Sequence, residues 1–397
     1  MNRLNLSAPR WGAEDNIEHV SALSLLTAFE DGIKQNSRNV IPDLSEQLGT
    51  AIGALRTPSY AGKSSFFEPV QSALHKSRSM ASVGAQETAD SGRTESLISI
   101  GDSNIALRVM LYRGYVSDLR PLVILNSIEY AMPPSVMFCE QMWANGYQVI
   151  FVERPGFGTS TPLPNVLFCD ELISSGATAT TEAVILQNLL EQLELKHVIL
   201  LGMGSANPVC YRLSLMSDIV ALALFSNVVF NKDILDVFRP KWLQQMFRQT
   251  VHSKSGIKIA LAGIKHRLRK KPLEFYRLLM HQSPGDVAYL DANPSDFTAA
   301  GQRFQSLDHT IMDYDLCMSL KPDALLKDGL FANCNAIAFS GTETPDHWRK
   351  QLDSEAERLD IPVAYAPHGD FLAPYASSDY FLSVLKDNAE AKSSAAQ

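Results

Sequence analysis

The chain has 397 residues, 46% of them hydrophobic, which exceeds one domain of usual size and supports a sizeable core. A formal net charge of -8 argues against a general nucleic-acid binder, and no apolar run reaches the length of a membrane-spanning helix. Five cysteines (Cys139, Cys169, Cys210, Cys317 and Cys334) show no C-x-x-C spacing, which predicts reduced thiols in a cytoplasm-like compartment. The opening residues lack an apolar signal core, so a cytoplasmic location is expected.

The elements follow in chain order. Ile17, Val20, Leu23, Leu26 and Phe29 recur at helical spacing, as do Ile41, Leu44, Leu48, Ile52 and Leu55. A third apolar patch lies at Phe66, Phe67 and Val70. These predict a helical N-terminal extension over 1–76, packed on the main domain, on a second copy or on a protein partner. Small and charged residues then predict a flexible linker over 77–96. A core segment over 97–229 carries strands at Pro121–Leu125, Tyr147–Val152, Val198–Leu201 and Ala221–Phe225. Helices fit between them at Ser135 to Asn145, Thr181 to Leu193 and up to Met216. The stretch 230–319 is helical in pattern, around Asp233–Val251, Gly256–Leu268, Pro272–His281 and Asp296–Leu307. The core resumes over 320–390 with strands at Ala336–Gly341 and within Ile361–His368, and a disordered tail is expected over 391–397. Strands alternating with helices in this order predict a doubly wound, mostly parallel sheet.

Four motifs in this order resemble the α/β-hydrolase superfamily. Gly202-Met203-Gly204-Ser205-Ala206 is a strand-to-helix turn similar to the nucleophile elbow. Glu153-Arg154-Pro155-Gly156-Phe157-Gly158-Thr159-Ser160 is similar to the family turn D-x-P-G-x-G-x-S, with Glu for Asp. Ala336–Gly341 and Ile361–His368 resemble the strands that deliver the triad acid and histidine. The resemblance spans roughly the last three quarters of the chain. It implies an α/β-hydrolase fold in which 230–319 is a helical cap, and it makes Asn126, Ser127 and Ile128 the oxyanion and ligand-pocket loop.

In the register of the family, the nucleophile position is Gly204, which has no side chain to attack with. Ser205 lies one residue late; its backbone N–H would be an oxyanion donor and its hydroxyl a cap of the first helical turn. As an alternative it is a substitute nucleophile, although a shift of one residue turns its side chain by about 100°. His368 fits the base. For the acid, the pattern G-x-x-D counted from Gly341 falls on Thr344, with Glu343 and Asp346 adjacent candidates and Asn227 at an alternative acid site. No metal-ligand cluster is present, and Gly156 and Gly158 lack the third glycine of a dinucleotide fingerprint, so neither a metal nor another cofactor is expected.

The expected protein is thus an α/β-hydrolase-fold chain with a degenerate triad, a pseudoenzyme that binds a small hydrophobic molecule under its cap. The alternatives are a hydrolase of a small ester, lactone or amide, and a His368-centred non-covalent lyase- or oxygenase-type enzyme; an orienting partner for His368 separates the last from a pure binder. The basic run Lys265 to Lys271 reads as a solvated helix end, or as a contact for an anionic partner.

Overall fold

The computed structural model describes residues 92–100, 105–114, 116–128, 130–168, 173, 176–228, 262, 264–307, 311, 314–315, 323 and 325–395. The helical extension expected over 1–76 and the insert helix expected at Asp233–Val251 lie outside the described residues.

Runs such as Leu122–Leu125 and Val198–Leu201 are apolar on both faces, so they are satisfied only as inner strands covered by helices on either side. They lie in one eight-stranded sheet. Its strands are β1 (Arg93–Ser99), β2 (Ala106–Tyr112), β3 (Arg120–Leu125), β4 (Tyr147–Val152), β5 (Val198–Met203), β6 (Val220–Ser226), β7 (Ala336–Gly341) and β8 (Val363–Ala366). The spatial order is β1-β2-β4-β3-β5-β6-β7-β8. Only the pairings β1–β2 and β2–β4 are antiparallel. The helices are α1 (Val136–Ala144), α2 (Ala177–Gln192), α3 (Asn207–Met216), α4 (Pro272–Leu279), α5 (Pro284–Ala292), α6 (Pro294–Ser306), α7 (Asp346–Leu359), α8 (Ala373–Ala376) and α9 (Ser378–Ala395).

Strand side chains alternate between two cores. Val123 and Leu125 of β3 pack with Leu186, Leu213 and Leu359 of α2, α3 and α7. Leu122 and Ile124 face the other way, toward Phe138, Phe381 and the insert residues Leu268, Tyr276 and Phe297. The described insert residues from Leu268 to Ile311 therefore pack on the same side as α1 and α9, whereas Leu326 and Phe331, later in the β6-to-β7 connection, join the side of α2, α3 and α7. The chain leaves β3 toward β4 and β5 toward β6, on opposite sides. The crevice at the C-terminal ends of β3 and β5 is thus the switch point where open α/β sheets hold ligands.

Two boundaries and one helix differ from the sequence expectation. The linker expected to reach 96 ends earlier, because Arg93 to Ser99 pair with β2 as an edge strand whose outer face tolerates polar residues. The disordered tail expected over 391–397 is helical to Ala395, since α9 anchors Phe381 and Leu385 in the core and continues through good helix formers. Finally, α5 was not expected; it buries only Asp286, Tyr289 and Leu290, too few apolar positions to show as a stripe.

The basic run is helical over 264–270. Leu268 is buried, Lys265 donates to the Leu307 carbonyl at 3.0 Å, and Lys271 pairs with Glu274 at 2.8 Å. Cys139 and Cys210 are buried free thiols, and Cys334 donates its Sγ hydrogen to the Ser214 carbonyl at 3.7 Å.

Candidate active site

The elbow forms where β5 ends. Gly204 takes a φ of 49°, and Gly204–Ala206 make a 3-10 turn leading into α3. A left-handed φ costs a residue with a side chain on the order of 1–3 kcal/mol, and glycine adopts it freely. The backbone of a strained elbow is thus present without the strain or the side chain.

Ser205 is fully buried and does not cap either turn, contrary to the expectation for its hydroxyl. Instead Oγ donates to Asp315 Oδ2 at 2.9 Å and accepts the backbone N–H of Ile128 at 2.9 Å. The carboxylate is a stronger acceptor than a carbonyl in the first helical turn, and that difference accounts for the rotamer. Asp315 in turn takes two guanidinium hydrogen bonds from Arg154, at 3.1 and 2.8 Å, and Arg154 also pairs with Glu182. All three charged residues are at most 1% exposed. Burial pushes the Asp315 and Glu182 carboxyls up, opposed by the Arg154 charge that holds them as a paired cluster. Asn126 joins it, its Oδ1 accepting the Arg154 backbone N–H at 2.7 Å, while Ser127 Oγ accepts the N–H of Tyr130 at 3.2 Å. The expected oxyanion loop is therefore tied to the buried side of the elbow, with the Ile128 N–H already engaged by Ser205.

The histidine loop is built differently. At the end of β7, a Cβ on Gly341 would lie 1.6 Å from the Gly369 carbonyl oxygen, so only glycine lets the β7 turn pass this close to the loop after β8. That approach brings Glu343 to His368. Glu343 Oε1 stands 3.4 Å from His368 Nδ1, with the imidazole 64% exposed and the carboxylate 16% exposed. Burial pushes the Glu343 carboxyl up, but hydrogen bonds from Ser283, Gly285, Gly369 and His368 outweigh it and hold it below the ordinary glutamate value. An ionised carboxylate can only accept, so Nδ1 is the donor in this pair. Ser377 Oγ fixes the loop backbone, accepting the His368 N–H at 2.9 Å and donating to its carbonyl at 2.8 Å.

Part of this support comes from the β6-to-β7 connection. Ser283 Oγ and the Gly285 N–H donate to Glu343 Oε2 at 2.6 and 2.8 Å. Asp286, which is fully buried, accepts the backbone N–H groups of Asp370, Phe371 and Leu372 at 3.1, 2.6 and 3.1 Å.

The remaining candidates fall elsewhere. Asp346 opens α7 with its side chain 77% exposed and pairs with Arg349, away from the imidazole. Thr344, at the register position of the family acid, donates to Asp370 at 2.6 Å. Asn227 follows β6 with a φ of 48°. Arg154, Glu182, Asp315 and Asp286 escaped sequence reasoning. For Asp286 a signal exists: Ser283-Pro284-Gly285-Asp286 has the form of a helix start, with Ser283 Oγ accepting the Asp286 N–H at 3.2 Å. Among the described residues, no group of three or more His, Cys, Asp or Glu side chains could hold a metal ion.

The sheet order, the crossovers and the elbow together define the α/β-hydrolase fold. Solved structures of this fold superpose on the chain. Bromoperoxidase from Bacillus anthracis does so with a TM-score of 0.51 and 18% identity, over 75% of this chain and 100% of that one. The Cif epoxide hydrolase from Acinetobacter nosocomialis gives 0.52 and 13%, over 84% of this chain and 98% of that one. Comparison of the sequence with protein-family models gives no match, and comparison with curated proteins gives none either.

Proposed function

We propose that the protein acts on a small molecule without a covalent intermediate, with His368 as general base and Glu343 as the group that orients it. The observation that carries this reading is the pairing of an ionised, multiply hydrogen-bonded Glu343 with Nδ1 of an accessible His368, in a chain whose nucleophile position is Gly204. Nε2 takes a proton from water, the water oxygen attacks the electrophilic carbon of a small ester, lactone or amide, and the imidazolium returns the proton to the departing group. Abstraction of a proton from the substrate itself uses the same pair. The fold hosts many reactions, so the reading rests on these residues and not on the names of the superposed structures. In this reading the described insert segment 264–307, whose Leu268, Tyr276 and Phe297 are apolar and buried, is the part of the expected cap that suits a small hydrophobic ligand. The free thiols of Cys139 and Cys210 support a reducing, cytoplasm-like compartment.

A second reading, a ligand-binding protein with no turnover and thus a degenerate relative of the hydrolases, is favoured by the engagement of the Ile128 N–H with Ser205 Oγ. One experiment separates the readings: turnover of a panel of acyl esters, lactones and amides by the native chain, His368→Ala and Ser205→Ala. The base reading expects a loss of about 10²–10⁴-fold in His368→Ala and retained turnover in Ser205→Ala. The opposite pattern restores a serine nucleophile. Thermal stabilisation by panel compounds with no turnover selects the binding protein.

A further inference from the structure

The first turn of α5 lies outside the strands and loops that form the elbow and the dyad, yet it touches the dyad on both sides. Glu343 receives the Ser283 hydroxyl and the Gly285 N–H, and the loop that carries His368 gives three consecutive N–H groups to Asp286. Gly285 lies so close that a Cβ there would be 2.6 Å from the Gly369 nitrogen and 2.9 Å from the His368 Cβ. A run of three adjacent N–H groups, at residues 370–372, needs an anion or a helix to satisfy it. Asp286 supplies that anion from another element, at the cost of its own burial. Asp370 and Glu343 are the other carboxylates in this cluster, and His368 is its base.

We propose that Asp286 is a positioning residue, and that the docking of α5 onto residues 368–372 is what holds His368 and Glu343 together. The base is assembled by the β6-to-β7 connection and not by the β7 and β8 loops alone, so whatever moves that connection also takes the base apart. The inference rests on the His368–Glu343 reading, and its test uses no turnover, so the two fail separately.

The experiment follows the His368 imidazole by ¹⁵N NMR and the amides of Asp370, Phe371 and Leu372 by hydrogen exchange, in the full chain, with two substitutions. In Asp286→Asn the amides should exchange about tenfold faster or more, the equivalent of losing a hydrogen bond to a charged group. The Nδ1 resonance should also move toward that of a free imidazole. Gly285→Ala replaces glycine with a better helix former, so a role confined to helix stability predicts an unchanged or firmer structure. The docking account predicts the same imidazole shift as in Asp286→Asn. If Asp286→Asn does not fold, Gly285→Ala decides alone. An unchanged His368 resonance in the folded variants would overturn the proposal.

Discussion

The two ends of the candidate site use opposite strategies. At the elbow, Ser205, Asp315, Arg154 and Glu182 are sealed in the interior and satisfy one another, so their polar atoms are committed to the fold. At the histidine loop, Glu343 is held by three donors from two segments while the imidazole it faces is 64% exposed. A side chain whose hydrogen bonds are complete and buried contributes to stability. One whose partner is fixed and whose far edge meets solvent is placed for chemistry. The difference teaches that a motif position has to be read with its surroundings, because the hydroxyl nearest the nucleophile position is here buried and hydrogen-bonded to Asp315.

The largest effect should come from breaking the sealed end. Arg154→Met leaves Glu182 and Asp315 buried without their counter-charge, and a loss of about 3–5 kcal/mol is expected from urea denaturation. A loss below about 1 kcal/mol would show that water already reaches this cluster, and the contrast between the two ends would weaken.

The pH dependence sharpens the comparison at the other end. Burial pushes the Asp286 carboxyl up from 3.8 to about 6, against the three backbone donors that pull it down. The folded state then binds more protons than the unfolded chain between these values, so this group lowers stability as pH rises from about 4 to about 6. Glu343 has the opposite sign: its lowered value adds stability above the ordinary glutamate range, lost as pH falls below it. Melting temperatures of the native chain and Asp286→Asn, taken across pH 4–7, should differ in slope between about 4 and 6. Parallel curves would mean that Asp286 does not titrate in that window.

Much of the frame was legible from the residues. The inner strands are apolar on both faces, and Gly202-Met203-Gly204-Ser205-Ala206 marks the elbow because its backbone needs small residues wherever it occurs. The partner of His368 was legible only as a choice, since Glu343 is one residue short of the pattern position. The longer glutamate arm and the close pass of Gly341 by Gly369 bring Glu343, and not Thr344, beside the imidazole, a juxtaposition that spacing along the chain cannot express. Arg154 and Asp315 were illegible for a related reason, and Asp286 was legible only as part of a helix start and not as the anchor of the histidine loop. Each is defined by a partner more than 80 residues away (Asp315 for Arg154, Leu372 for Asp286), and a single buried charge has no periodicity to betray it. The Ser205 hydroxyl was assigned to a local cap because sequence offers only local acceptors, and a carboxylate 110 positions away outcompetes them.

The central claim is that no covalent step passes through the elbow. The most direct test is intact-mass and peptide mass spectrometry of the native chain after exposure to a fluorophosphonate, which phosphonylates activated serines. The account predicts no adduct at Ser205, whose hydroxyl donates to Asp315 and is closed off from solvent, and an unchanged mass for the whole chain. Stoichiometric modification of Ser205 would contradict it and make this residue a nucleophile after all.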